Sequence, residues 1–160
     1  MGDKVIPEAV EIRRFRPEEA ERVSALVRGV FEEHVAASFE PEGVAEMHRH
    51  LSPAAIAGRA ETRDTFVAWR GARPVGVIEV RDRDHVSMLF VRTSHMGLGI
   101  ATALLARAVE AARAAGRPAI TVHSSLNAQS FYARAGFVAA AEPQRVDGMA
   151  FVPMKKRLDE

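Results

Sequence analysis

The sequence predicts an α/β fold: a mixed, mostly antiparallel central sheet with one β-α-β crossover and flanking helices. Three strand patterns, TFVAWR, PVGVIEVRD and HVSMLFVR, follow one another with only the turns at Gly71 and at 81–84 between them. Such close spacing requires antiparallel hairpins. The third strand then runs through a glycine-broken turn into a long alanine-rich helix, and RPAITVH follows as a short buried strand. Strand, helix, strand in that order is a parallel crossover.

The remaining elements fall around this centre. AVEIRRFR alternates apolar and charged residues and reads as a half-exposed first strand. Pro17 opens a helix, with Glu18, Glu19 and Glu21 in its early turns, and Ala20, Val23, Leu26, Val27, Val30 and Phe31 keep helical spacing to about Ala37. VAEMHRHLSPAAIAGRA is helical with a break near Ser52-Pro53. The long helix is expected from about Gly97 to Ala115, burying Ile100, Leu104, Leu105, Ala108 and Ala112 and ending at Gly116. NAQSFYARAG reads as a short helix with Asn127 near its N-cap and Gly136 past its end, and FVAAAE and MAFVPMKKRL as closing strands.

Composition narrows the function. A length of 160 residues suits one domain, and 22 Lys plus Arg against 21 Asp plus Glu leave a net charge of +1. Neither nucleic acid nor a membrane is an expected partner on that balance. The absence of cysteine rules out disulfides, thiolate zinc sites and a cysteine nucleophile. No apolar run approaches the roughly 20 residues of a membrane span, the first residues lack a secretory apolar segment, and Ile6 stands where a myristoylation motif at Gly2 needs Ser or Thr. The expected location is the cytoplasm. His48 and His50 are two apart, the wrong spacing for ligands on a helix, and no metal site is expected.

Gly97 and Gly99 carry the first functional signal. A helix N-terminus has unpaired N–H groups and about half a positive charge, and with no side chains in the way a pyrophosphate reaches the N–H groups of residues 97 to 102. A Walker loop is excluded because no lysine follows the second glycine, and a dinucleotide fingerprint is weakened by Thr102 at its third glycine. A tight turn that binds nothing stays open on these residues alone.

Met96-Gly97-Leu98-Gly99-Ile100-Ala101 after the strand SMLFV resembles the [QR]-x-x-G-x-[GA] turn of the GNAT superfamily of acyl-CoA-dependent N-acyltransferases. SLNAQSFYARAGF looks like that family's second signature, and GMAFVPMKKRL is similar to its closing strand. The likeness runs from about Thr65 to the end. Met96 departs from it, standing where the family prefers Gln or Arg.

The resemblance implies a single N-acetyltransferase domain over 1–160, with acetyl-CoA as cosubstrate and an amine as acceptor. It implies that Leu89, Phe90 and Val91 contact the acyl-CoA and supply an oxyanion-binding backbone N–H. Met96, Gly97, Leu98, Gly99, Ile100, Ala101 and Thr102 would hold the pyrophosphate, and Asn127 the pantetheine arm. Tyr132, the sole tyrosine, matches the general acid toward the CoA sulfur; a phenol near pKa 10 is protonated at neutral pH. An alkyl ammonium is neutral in only about one molecule per thousand at pH 7, so a base is needed. Glu79 is the first candidate and His85 the second. Glu32, Glu33, Glu40, Glu42 and Glu46 would attract a cationic acceptor if they faced the cleft. A homodimer is one open expectation. The alternative function is a catalytically weak or inactive CoA-binding regulatory module on the same fold, a reading that Met96 favours.

Overall fold

The computed structural model describes residues 9–159; the reading of Gly2 and Ile6 lies outside them. Eight strands and five α-helices form one mixed sheet with helices on both faces. In chain order these are β1 (Val10–Arg14), α1 (Ala20–His34), α2 (Pro41–His50), α3 (Pro53–Gly58), β2 (Arg63–Arg70), β3 (Arg73–Arg81), β4 (His85–Val91), α4 (Ile100–Ala114), β5 (Ala119–Ser124), α5 (Gln129–Arg134), β6 (Val138–Ala139), β7 (Gln144–Val146) and β8 (Met149–Arg157). The strand order is β1-β2-β3-β4-β5-β8-β6, with β7 paired to β8. Every pairing is antiparallel except β4 with β5, which α4 connects.

Two apolar cores flank the sheet. Strand alternation sends Phe66, Ala68, Ile78, Val80, Val86 and Val122 toward α4, where they meet Ile100, Leu104, Leu105, Ala108 and Ala112. The opposite faces of the same strands send Val67, Trp69, Val77 and Met88 toward Val23, Val27 and Phe31 of α1. Gly76 sets the distance on the α4 side. A Cβ there would lie 3.0 Å from both Ile100 Cγ2 and Leu104 Cδ1, so its absence lets the start of α4 sit against β3.

Several boundaries differ from the sequence reading. The first helix stops at His34, and 36–38 form a single 3₁₀ turn rather than a continuation to Ala37. The long helix starts at Ile100, not Gly97, because Gly97 (φ +80°) and Gly99 (φ +86°) are left-handed and cannot belong to it. FVAAAE pairs over two residues only. A hairpin, β7–β8, was unforeseen: Val146 faces Met149 across a two-residue turn, and Asp147 and Gly148 both have positive φ, the geometry Asp-Gly favours.

That turn is docked on the start of α2. The Glu40 N–H donates to the Gly148 carbonyl at 2.8 Å, and Arg145 Nη1 donates to the Ser38 carbonyl at 3.0 Å. A Cβ on Gly43 would stand 2.6 Å from the Gly148 carbonyl carbon and closer still to its oxygen. Backbone cannot yield as a side chain does. Gly43→Ala is therefore expected to destabilise the fold by about 2–3 kcal/mol, despite alanine's better helix propensity. Urea titration checks this; an unchanged or raised midpoint would show that the turn is not held against α2.

Candidate functional site

The site arises where the sheet comes apart. β4 and β5 pair only at His85–Thr121 and Val86–Val122. Beyond Val86 the two strands separate, leaving the backbone of the rest of β4 without a ladder partner on its β5 side. A bulge adds to the divergence: Glu79 faces Met88 and Val80 faces Val86, so Ser87 is the extra residue in β4.

A cleft of about 1080 Å³ passes through this gap. Met88, Leu89, Phe90 and Val91 form one wall; Val122, His123, Ser125 and Asn127 form the other. The start of α4 closes one end, with Met96, Gly97, Gly99, Ile100, Ala101 and Thr102 all lining it. Gly99 occupies the N-cap position and offers no side chain to cap the helix. Ala103 is the first residue whose N–H bonds back to the Gly99 carbonyl, at 3.0 Å. The N–H groups of Ile100, Ala101 and Thr102 thus precede the helical ladder, and the first turn carries no acid. Arg113, Arg134 and Lys156 line the cleft on the same face of the sheet. Such an end suits phosphate.

The loop into α4 is fixed by its own polar contacts. Arg92 donates from Nε and Nη2 to the Pro74 carbonyl at 3.2 and 2.8 Å, and its N–H donates to the Val75 carbonyl. His95, buried, faces Arg70 Nη1 at 3.3 Å through Nε2 and Ser94 Oγ at 2.9 Å through Nδ1. Burial and then the charge of Arg70 push its pKa down, so it stays neutral and accepts from the guanidinium.

Tyr132 is carried by α5 on the α4 side of the gap. It is 5% exposed, lines the cleft, and packs edge-on against Phe131 and Phe137 at 5.1 and 5.3 Å. Gly136 (φ +98°) reverses the chain so that Phe137 can return, its N–H donating to the Tyr132 carbonyl at 3.0 Å. Burial pushes the Tyr132 phenol up, and it remains protonated throughout the physiological range.

Asn127 lines the cleft without capping α5. The N-cap position falls at Ala128, and the Asn127 side chain instead bridges to α1: Nδ2 donates to the His34 carbonyl at 2.8 Å, and Oδ1 accepts from Ser125 Oγ at 2.9 Å. Leu98, 41% exposed, points away and is absent from the lining.

Neither base candidate from the sequence lines the cleft. Glu79 is 1% exposed beneath the α3 side of the sheet. Its Oε2 pairs with Arg59 Nε at 3.0 Å, and its Oε1 accepts from Ser87 Oγ at 2.7 Å with Arg63 Nη1 at 3.6 Å. The alternation that turns Val80 toward α4 turns Glu79 into this ion-pair cluster. Its carboxylate anchors the bulged Ser87, a cleft residue. His85 bonds Thr121 Oγ1 through Nδ1 at 2.8 Å, and its pKa is pushed down to about 4, by burial first and Arg81 next.

A different histidine reaches the cleft. His123 of β5 stacks on Phe151 with centroids 4.3 Å apart and meets the His85 ring edge-on at 4.8 Å. Burial and then Arg81 lower its pKa, leaving it neutral near pH 7. Nothing local in the sequence marks His123, because the partners of its ring, His85 and Phe151, lie 38 and 28 positions away. Among the described residues no group of three or more His, Asp or Glu is arranged to hold a metal, and no helix is long and apolar enough to cross a membrane.

Three of the five acidic residues expected around an acceptor are engaged elsewhere. Glu32 pairs with His48, Glu46 with Arg49, and Glu33 accepts from Thr93 Oγ1 at 3.0 Å. Among the described residues that line the cleft there is no aspartate or glutamate.

A mixed sheet whose single parallel pair parts beside a bare helix end leaves an open cleft suited to a long, phosphate-bearing ligand. The chain belongs to the GNAT acetyltransferase family: the model of the Acetyltransferase (GNAT) domain matches residues 35–158. Among solved structures it is similar to a GCN5-related N-acetyltransferase from Rhodopseudomonas palustris, at 27% identity and a TM-score of 0.81 over 99% of both chains. It is also similar to PaiA N-acetyltransferase from Thermoplasma acidophilum in complex with coenzyme A, at 19% identity and TM-score 0.76 over 93% and 99% of the two chains. YncA of Salmonella typhimurium, solved with its cofactor acetyl-CoA, gives 22% identity and TM-score 0.69 over 94% and 95%. No curated protein matches the sequence.

Proposed function

We propose that the protein transfers an acetyl group from acetyl-CoA to a primary amine by direct attack. The observation that carries this reading is the parting of β4 and β5 at the uncapped end of α4. Its residues fit the cosubstrate: N–H groups of Ile100, Ala101 and Thr102 for the pyrophosphate and the unpaired edge of β4 for the pantetheine. Structures solved with coenzyme A or acetyl-CoA that share the fold support the same assignment.

In the reaction a C–N bond forms, the C–S bond breaks, one proton passes from the attacking amine to the base, and coenzyme A departs as a thiolate that is protonated by solvent as the base returns its proton there. Backbone N–H groups of Leu89, Phe90 or Val91, fixed in the sheet edge that lines the cleft, stabilise the carbonyl oxygen as it gains charge. Tyr132 faces the leaving sulfur. Its phenol is a weaker acid than a free thiol, so full transfer to a thiolate of ordinary basicity runs uphill; the hydroxyl acts by donating a strong hydrogen bond as charge develops there. His123 takes the proton from the amine. It is neutral in the cleft, and the nitrogen of an adduct bearing a full positive charge beside the former carbonyl carbon is a far stronger acid than a free alkyl ammonium. Asn127 holds the β5–α5 loop against α1 and offers its amide to the pantetheine.

The test follows thiol release from acetyl-CoA with primary amines while mass spectrometry detects the acetylated amine. His123 accepts a proton only when neutral, and its pKa lies below 6.5. Expressed per neutral amine, the wild-type kcat/KM is therefore expected to fall in acid, at a pH below that at which an ordinary imidazole titrates. His123→Gln should lose that limb and about 10- to 100-fold of the rate at pH 8, with the KM for acetyl-CoA unchanged. A variant with the parent's full acid limb would remove His123 from the proton path. The alternative, a module that binds CoA without turnover, draws on Met96, which lines the cleft and has no donor for a phosphate. The appearance of acetylated amine excludes it.

A further inference from the structure

We infer that the acceptor is a primary amine carried on an aromatic or branched aliphatic body with no second positive charge. This rests on the transferase reading above. The cleft is chemically divided by the sheet it crosses. On the α4 and α5 face it presents Arg113, Arg134 and Lys156. On the other face, where Met88 and Phe90 turn toward the α1 core, its apolar lining includes Val30, Val35, Phe39, Met47, Phe90 and Phe151. These come from four separate elements and the short turn after α1, so the apolar character is not the accident of one helix face.

The polar side chains at this end are uncharged or histidine: Ser87, Ser125 and Asn127, tied to Glu79 and to the end of α1, with His34 and with His123, whose ring lies flat against Phe151. Phe39 is held edge-on to Phe31 at 5.5 Å. Glu32, Glu46 and Glu33 are tied to His48, Arg49 and Thr93, and neither they nor Glu40 and Glu42 line the space. A polyamine or aminoglycoside placed here would bury additional ammonium groups against aromatic and aliphatic carbon with no carboxylate to pair them, a large desolvation cost. An aromatic or branched amine instead removes its own apolar surface and that of the wall from water. The same surroundings disfavour the charged form of the one amine it carries, which raises the fraction that is nucleophilic and lightens the demand on His123.

The test compares 2-phenylethylamine and isoamylamine with putrescine and spermidine as acceptors, using the full chain and saturating acetyl-CoA, after calorimetry has scored acetyl-CoA binding. The expected result is a kcat/KM at least tenfold higher for the two apolar amines. Phe39→Glu, which places a carboxylate on the wall, should narrow or invert that ratio while leaving acetyl-CoA affinity within twofold. Turnover that favours the polyamines, or turnover with neither apolar amine, overturns the acceptor assignment and leaves acetyl-CoA binding intact. Failure to bind acetyl-CoA overturns the transferase reading itself, and the acceptor assignment with it.

Discussion

Tyr132→Phe is expected to lower kcat for acetyl transfer by about 100-fold while changing the KM for acetyl-CoA by less than about threefold. The substitution removes one oxygen from a ring that is otherwise fully packed. Phe131 and Phe137 hold that ring from two sides, and a phenylalanine fills the same space. The fold should therefore survive with a loss of no more than about 1 kcal/mol, read from the urea midpoint. The donor to the sulfur disappears, and the leaving thiolate must then depart unaided. A thiol with an electron-withdrawing substituent leaves without such help. A more acidic thioester donor should consequently rescue Tyr132→Phe more than it accelerates the parent. Equal kcat in parent and variant, at equal stability, would remove Tyr132 from the chemistry and leave it as a packing aromatic.

Gly97→Val is expected to weaken acetyl-CoA binding by at least 30-fold. Gly97 sits at φ +80°, where a β-branched residue is a steric outlier, so the turn must shift to admit it. A Cβ at this position meets no heavy atom within 4 Å, so the effect does not come from crowding the protein. The shifted turn leads directly into α4 and carries the N–H groups of Ile100, Ala101 and Thr102 out of position. Gly97→Ala should fall between the parent and Gly97→Val, with a backbone cost of about 1 kcal/mol. Calorimetric titration separates the two contributions from global stability. Unchanged affinity in Gly97→Val would mean that the pyrophosphate lies elsewhere.

Much of this site is legible in the sequence because it is local. The glycine turn, the buried face of α4 and the Asn127-to-Phe137 run are each contained in fewer than 20 residues, and of the cosubstrate-binding and acid residues read from them all but Leu98 line the cleft. α4 buries the five residues that its periodicity marks, since a helix that packs on a sheet needs one apolar stripe and nothing else. The failures are matters of face and of long range. Glu79 alternates correctly along β3, yet alternation cannot say which face meets the cleft, and Arg59 and Arg63 claim it from α3 and β2. His123 becomes significant only after β5 pairs with β4 and β8, which brings His85 and Phe151 to its ring. Asp147-Gly148 is a hairpin signal that was present but unread, because β7 is exposed throughout and shows no apolar alternation.

The acidic stretch from Glu32 to Glu46 shows the same limit in another form. Five carboxylates near an acceptor region suggest a cationic substrate, and the sequence cannot show that His48, Arg49 and Thr93 occupy three of them. What lines the space instead is apolar, contributed by residues that read in sequence as ordinary core.

The central claim is that the gap between β4 and β5, ending at the start of α4, holds acetyl-CoA. Titration calorimetry of the full chain with acetyl-CoA tests it without any assumption about the acceptor. Saturable one-to-one binding with a dissociation constant in the micromolar range, on the order of −8 kcal/mol, is the predicted result. No heat of binding at millimolar acetyl-CoA would contradict it.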